Sequence, residues 1–435
     1  VVALLIVVGC QPDARVDAQP PADWPQWRGP TGTGTAAPDA RPPVHWSDSD
    51  NVRWKTALPG RGHSTPIVWH DRVFVTAAIA TGERLTPRMS GRPGAHDNLP
   101  VDHKHQFVVF AIDRSDGSIV WQRVVHQAVP HEGGHTTASL ASASPVTDGK
   151  HLLVSFGSRG LFCLDFDGNV VWEKQLGLMH SKHGHGEGSS PVLFGDRLIV
   201  NWDHEDESFL LALDKATGRQ LWRQPRREVT SWSSPIIVQQ EGVAQVVVCG
   251  TDRVRGYDTD TGDVIWECGG MSANIVATPV AADGFLYVGS SYEKRVLMAI
   301  NLAGAQGDIT SSGHVVWTRA RGTPYVPSPL LCDSALYFLT HYQNVLTRVD
   351  AKTGDDAPGA MRLGPLGNIY ASPVAAAGHV YITDLDGVTL VINQSEIPRV
   401  VAVNPLGEKV SASAAIAGGE IFIRGDRHLF CIAED

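Results

Sequence analysis

The sequence predicts an all-β protein: an eight-bladed β-propeller, four antiparallel strands per blade, its ring closed by an N-terminal strand at about residues 51–57. Three observations carry that reading. A Ser/Thr-Pro pair followed by apolar residues recurs at Thr65-Pro66, Ser144-Pro145, Ser190-Pro191, Ser234-Pro235, Thr278-Pro279, Ser328-Pro329 and Ser372-Pro373, with a degenerate copy at Ser413-Ala414. From Pro145 to Ala415 the intervals are 46, 44, 44, 50, 44 and 42 residues, and a period in the forties with four short strands per unit is the signature of a propeller blade. Within the units, a turn of the type Asp-x-x-Thr-Gly precedes a strand that carries a tryptophan.

The elements follow in order. Second strands are read at residues 72–76, 151–156, 197–201, 245–249, 285–289, 335–339, 379–383 and 420–424 from their short apolar runs. Third strands end in the turns at Asp113, Asp214, Asp258 and Asp350. There the carboxylate can accept bonds from amides just ahead and the closing Gly can take a positive φ. Fourth strands carry Trp121, Trp172, Trp222, Trp266 and Trp317, one indole per repeat, which suits packing between neighbouring blades. Blades six and seven lack this residue, which predicts looser seams. The last unit runs out of chain after its third strand, and Val52-Arg53-Trp54-Lys55-Thr56 has the pattern of the missing fourth, so it closes the ring and removes the open sheet edges.

The first residues form a separate group. An apolar run, Val1 to Gly9, ends at Cys10 and resembles the end of a bacterial lipoprotein signal peptide, with the lipid carried on Cys10. Residues 11–22 are polar and Pro-rich and read as a flexible tether, leaving 23–435 as a single propeller domain. A chain with 43% hydrophobic and 19% charged residues has ample material for a core. Its net charge of −10, with no basic stripe, argues against nucleic acid as a partner. Five further cysteines at wide spacing make neither a metal motif nor a disulfide framework. Cys249 and Cys268 fall in one repeat, but buried free thiols are the expectation.

The sequence Ala-x-Asp-x-x-Thr-Gly-x-x-x-Trp, as in Ala212–Trp222, resembles the PQQ-like (pyrroloquinoline quinone) propeller repeat. Trp24-Pro25-Gln26-Trp27-Arg28-Gly29-Pro30 resembles the opening motif of bacterial cell-envelope proteins built from that repeat. The resemblance covers roughly residues 24–435 and implies an extracytoplasmic protein, periplasmic or membrane-anchored. Relatives of the repeat include quinoprotein dehydrogenases and the propeller lipoprotein of the outer-membrane β-barrel assembly machinery. Gln11, not Asp, follows Cys10, which by resemblance to other lipoproteins favours the outer membrane. Many of the quinoproteins carry adjacent cysteines beside the quinone and an acidic–amide calcium set. Neither can be matched here, which argues against PQQ as cofactor.

Strand alternation sorts the loops. Second–third loops and blade-to-blade links share one face, and ten of the eighteen histidines map to it within three consecutive blades. His96, His103 and His105 lie in an insertion at about residues 78–105. His126, His131 and His135 belong to the link from blade one to blade two, and His180, His183 and His185 to the next link. His204 lies in the loop Asp203–Glu207. Imidazole with carboxylate is the ligand set of zinc, copper or non-haem iron, so His103, His105, His131, His135, His180, His183, His185 and Glu187 are the candidate metal ligands. Glu132 or Glu187 would serve as base if a metal-bound water reacts. A second group, Trp232, Asn274, Tyr325, Asn368 and Tyr370, precedes the Ser/Thr-Pro units where links turn towards the central channel; His341 and Tyr342 would complete that rim. Aromatics and amides at a channel mouth suit a small polar ligand or a peptide segment. With no nucleophile motif and no phosphate loop, no catalytic residue is assigned. The expectation is a monomeric, non-catalytic binding or scaffold protein whose partner is an envelope protein or small polar ligand. The alternative is a metal- or quinone-dependent enzyme on the same face.

Overall fold

Eight sheets, each built on four antiparallel strands, stand around one axis in a computed structural model that describes residues 23–340 and 343–434. Blade one is Ile67–Trp69, Arg72–Thr81, Lys104–Asp113 and Ile119–Ala128; blade three is Val192–Phe194, Arg197–Trp202, Ser208–Asp214 and Gln220–Arg226. The eighth sheet joins Ala415–Ala417, Glu420–Arg424 and His428–Ala433 to Val52–Ala57, which pairs antiparallel with His428–Ala433. The N-terminal strand therefore closes the ring as the repeat arithmetic requires. Among the described residues helix is confined to two 3₁₀ turns, and none is long and apolar enough to cross a membrane. Residues 1–22, with Cys10 and the tether, and His341 and Tyr342 lie outside the described residues.

The repeat motif now has a physical account. A β-bulge interrupts the third–fourth strand pairing at the same place in successive blades, beside Ala111, Cys163, Ala212, Gly256 and Ala299. Each of these small residues pairs with the tryptophan of the fourth strand, so the motif's Ala makes room for its indole. The indole then reaches the next blade. Nε1 of Trp54, Trp121, Trp172, Trp222 and Trp317 donates to the carbonyls of Arg114, Phe166, Lys215, Thr259 and Ala351 at 2.8–3.0 Å. These carbonyls belong to the next blade's third–fourth turn, whose glycine lies beneath the ring. A Cβ at Gly218, where φ is +68, would stand 2.8 Å from Trp172. The turn aspartates do what the sequence suggests: Asp214 accepts from the amides of Ala216 and Thr217 and from the Thr217 hydroxyl at 2.7–3.2 Å.

Trp266 departs from the pattern. Its Nε1 donates to Gln245 within its own blade, because the next blade's turn is expanded and sends Gly307–Asp308 to pair in parallel with Val264–Gly269 as a fifth strand. Blades six and seven also differ from expectation. Blade six has a two-residue outer strand, Met361–Arg362, but blade seven has a full one, Val400–Pro405. Their seams are filled by other groups. Pro398 lies against Gly359, and Arg348 binds the carbonyls of Pro358 and Glu396. In the next seam Trp46 stacks on Tyr381 with centroids 6.3 Å apart. The expected looseness is therefore absent where the missing indole is replaced by proline, arginine or the N-terminal segment.

The Ser/Thr of each Ser/Thr-Pro pair has a job that spacing alone did not suggest. The amide of Thr65 donates to Ser144 Oγ, Ser144 to Ser190, Ser190 to Ser234, Ser234 to Thr278, Thr278 to Ser328, Ser328 to Ser372 and Ser372 to Ser413, all at 2.9–3.0 Å. This belt of buried amide–hydroxyl bonds ties the eight inner edges together around the axis. It satisfies donors that a short first strand would otherwise leave unpaired.

Candidate functional site: a blind funnel on the link face

The N-terminal segment crosses the axis and closes the channel. Trp24 is fully buried and pairs with Val68 as an extra bridge on blade one. Arg28 then turns inward, donating to the carbonyls of Pro373, Pro329 and Thr33 at 2.6–2.9 Å. Burial lowers its guanidinium to about 10, so it remains charged at neutral pH. Trp27 borders cavities of about 640 and 170 Å³ and stands between them. The larger cavity is a funnel open on the face of the links.

Its walls hold the belt hydroxyls, and its rim holds all five predicted channel residues, Trp232, Asn274, Tyr325, Asn368 and Tyr370, joined by Tyr292. Tyr292 and Tyr325 stack with centroids 6.1 Å apart and planes 9° off parallel. Trp232 Nε1 donates to Gly186, which fixes its ring against the link between blades two and three. Asn274 Nδ2 donates to Thr230, whereas its Oδ1, like Nε2 of His185, is buried in the funnel wall without a hydrogen-bond partner among the described residues.

The opposite rim is built by the blade-one insertion. Its strands run to Thr81 and resume at Lys104, longer than sequence reasoning gave, and residues 82–103 fold down onto both links. Leu99 N–H donates to Gly134 O, Thr136 N–H to Asp97 O and Asn98 Nδ2 to His183 O at 2.7–2.8 Å. This clamp delivers His96 to His135, His183 and His185. Ring centroids are 4.7 Å apart for His96–His185, 4.9 Å for His135–His185, 5.3 Å for His183–His185, 5.4 Å for His96–His183 and 6.4 Å for His96–His135. Burial pushes His185 down to about 4, with His135, His96 and His183 adding to the effect, and burial also lowers His135.

Other predicted ligands go elsewhere. His131 and His180 lie together, 5.4 Å between centroids, with Glu132, and offer three ligand atoms within 4.8 Å of one another. These residues already have protein partners. His131 Nε2 bonds Met179 O at 2.7 Å, and Glu132 Oε1 accepts from Arg92 at 2.6 Å and faces His180 Nδ1 at 3.1 Å. Glu187 accepts from the Ser158 amide, the Ser158 hydroxyl and Arg159 at 2.6–2.9 Å, an anchor for the blade-two loop and not a base poised for water. His103 bonds Asp102 at 2.9 Å, and His105 bonds the His103 carbonyl at 3.2 Å, at the far end of the long hairpin. In the 203–207 loop, Asp203 is buried against Arg226, and His204 accepts from the His180 amide. Cys163, Cys249, Cys268, Cys332 and Cys431 are buried and free.

The chain is thus a closed PQQ-like propeller whose blind funnel opens on one face. Residues 105–358 match the family model described as outer membrane protein assembly factor BamB, and the chain belongs to that family. Among solved structures it resembles BamB from Moraxella catarrhalis at 16% identity and TM-score 0.56, covering 82% of this chain and 98% of that one. It also resembles the quinohemoprotein alcohol dehydrogenase ADHIIG of Pseudomonas putida HK5, at 11% identity and TM-score 0.59, covering 94% and 80%. A europium-containing methanol dehydrogenase matches at 10% and 0.61, covering 93% and 89%. At these identities the likeness is one of fold. No curated protein matches the chain. Pyrroloquinoline quinone is a tricarboxylate, whereas Lys182 is the sole lysine or arginine lining the funnel among the described residues, alongside Asp97 and the already paired Glu187. These residues do not fit that cofactor.

Proposed function

We propose that this chain is a non-catalytic, extracytoplasmic binding protein that takes an extended segment of an envelope protein into the funnel. The observation that carries the reading is the blind cavity of about 640 Å³ rimmed by Trp232, Tyr292, Tyr325 and Tyr370, with the unpartnered Asn274 Oδ1 in its wall. Flat aromatic faces beside a few fixed polar groups suit a polypeptide, whose side chains stack while its amides find acceptors. The assembly role in the family's description agrees with a protein segment as ligand. The non-catalytic part rests on Glu132 and Glu187, the two carboxylates that the sequence offered as bases, each being held by an arginine. Anchoring through a lipid on Cys10 belongs to the same reading and rests on the apolar run Val1 to Gly9.

The test is binding of a fluorescent extended peptide of alternating aromatic and polar residues, read by anisotropy. Trp232→Ala with Tyr325→Ala should weaken binding by about 30-fold, the loss expected for central aromatic anchors. Equal affinity in the double variant and the parent contradicts the funnel as the site. For the anchor, Cys10→Ala should move the protein from the membrane to the soluble fraction; a variant that stays with membranes contradicts lipidation.

A further inference from the structure

We propose that His96, His135, His183 and His185 form a binding site for a borderline divalent transition ion, zinc or copper, at the mouth of the funnel. The four rings come from three separate segments, brought together by the insertion's clamp on both links. With Zn–N near 2.1 Å, four imidazoles around one ion have centroids about 5 Å apart. Four of the six pairs, at 4.7–5.4 Å, match that value, and His96–His135 is wider at 6.4 Å. The ligand nitrogens stand further apart than the 4.8 Å within which those of His131, Glu132 and His180 gather, so an ion would have to draw them in.

The outward nitrogens of His96 and His183 are held as ligand imidazoles usually are. His96 Nδ1 bonds Gly94 O and His183 Nδ1 bonds Pro93 O, each at 2.8 Å, so one short turn orients both rings. A carbonyl accepts only from N–H, which fixes the proton on Nδ1 and leaves the Nε2 lone pair for an ion. His135 differs: its Nδ1 accepts from the Thr137 amide at 3.2 Å and faces the Thr137 hydroxyl at 2.7 Å, so its proton rests on Nε2 and an ion would have to displace it. His185 Nε2 is buried with no hydrogen-bond partner among the described residues, which leaves it open to a ligand. His183 itself sits at φ 56, a left-handed conformation that a non-glycine residue keeps only where its surroundings impose it. Gly94 is needed too, because a Cβ there would lie 2.7 Å from the His183 ring.

An all-nitrogen set selects zinc, copper or nickel over calcium and magnesium. The neighbouring group His131, Glu132 and His180 is more tightly drawn together, but the Arg92 guanidinium already supplies the positive charge there. The quartet contains no such cation. Ion binding would draw its Nε2 atoms inward by ring rotation.

The full chain, purified without a histidine tag, is dialysed against equimolar zinc or copper and assayed for bound metal, with no peptide present. One ion per chain is expected. His96→Ala with His185→Ala should weaken uptake by about 10-fold or more, and His131→Ala with His180→Ala should leave it unchanged. Copper-loaded protein should show an electron paramagnetic resonance spectrum with coupling to several nitrogens, and His183→Gln, a milder change, should reduce that coupling. Thermal melts in metal-free buffer establish that each variant folds. No uptake, or uptake lost only with His131 and His180, overturns the proposal while leaving the peptide reading to its own assay.

Discussion

Replacing Trp54 by alanine should cost about 4 kcal/mol of unfolding free energy, because one side chain carries the seam at which the ring closes. Trp54 is 7% exposed, covers Gly117, packs on Phe422 with centroids 5.8 Å apart and donates Nε1 to Arg114 O at 2.9 Å. A buried indole removes roughly 150–250 Å² from water. At about 25 cal/mol per Å² this is about 4–6 kcal/mol before relaxation, and large-to-alanine core substitutions cost about 3–5 kcal/mol. The hydrogen bond adds about 1 kcal/mol, so Trp54→Phe, which keeps an apolar ring, isolates the smaller loss. Urea unfolding followed by far-ultraviolet circular dichroism reads both variants against the parent. A loss below about 1 kcal/mol for Trp54→Ala would mean that Val52–Ala57 does not close the ring in solution, and the stated pairing with His428–Ala433 would be refuted.

Arg28→Ala should lower the melting temperature sharply, since it leaves the carbonyls of Pro329, Pro373 and Thr33 without a donor inside the plug; the cost is about 3 kcal/mol or more, and an unchanged melt would show that the plug does not hold the axis. Acid should weaken the fold through His63. Burial, with Arg61 and Arg424 nearby, pushes this imidazole down to about 3, below its ordinary 6.5. A depressed folded value means the stabilisation is complete above pH 6.5 and is lost as pH falls towards 3, at about 1.4 kcal/mol per pH unit. His63→Gln should remove that part of the slope in chemical unfolding measured between pH 6.5 and 4.5, and an unaltered slope contradicts the assignment.

Much of the fold was legible because a propeller repeats its physics. The recurring Ser/Thr-Pro pair and apolar runs, with an Asp–Gly turn in four units and a Trp in five, were enough to place most strands, and the three-stranded last unit pointed to the segment at about residues 51–57 as its fourth strand. The reason for the Ser/Thr before each proline was not legible, because the belt runs between residues some 44 positions apart and no local pattern announces an amide–hydroxyl bond. The seams of blades six and seven were misjudged for a similar reason: Pro398 and Trp46 fill the space from positions outside the repeat's register, and Arg348 reaches across from the third strand of blade six. At the site, strand alternation brought the histidine-bearing loops to one face and the five channel residues to one rim. It could not say which histidines meet. That depends on how residues 82–103 fold over the links, which brings in His96 and leaves out His103 and His105. Glu187 looked like a ligand because it follows a histidine run, yet Ser158 and Arg159, almost thirty residues earlier, hold both of its oxygens.

The most direct test of the account is an anomalous diffraction map at the zinc edge from crystals of the full chain grown with equimolar zinc. The account predicts one strong peak among the Nε2 atoms of His96, His135, His183 and His185, above a funnel closed at its floor by Trp27. A peak between His131, Glu132 and His180, or no protein-bound peak at all, would contradict it.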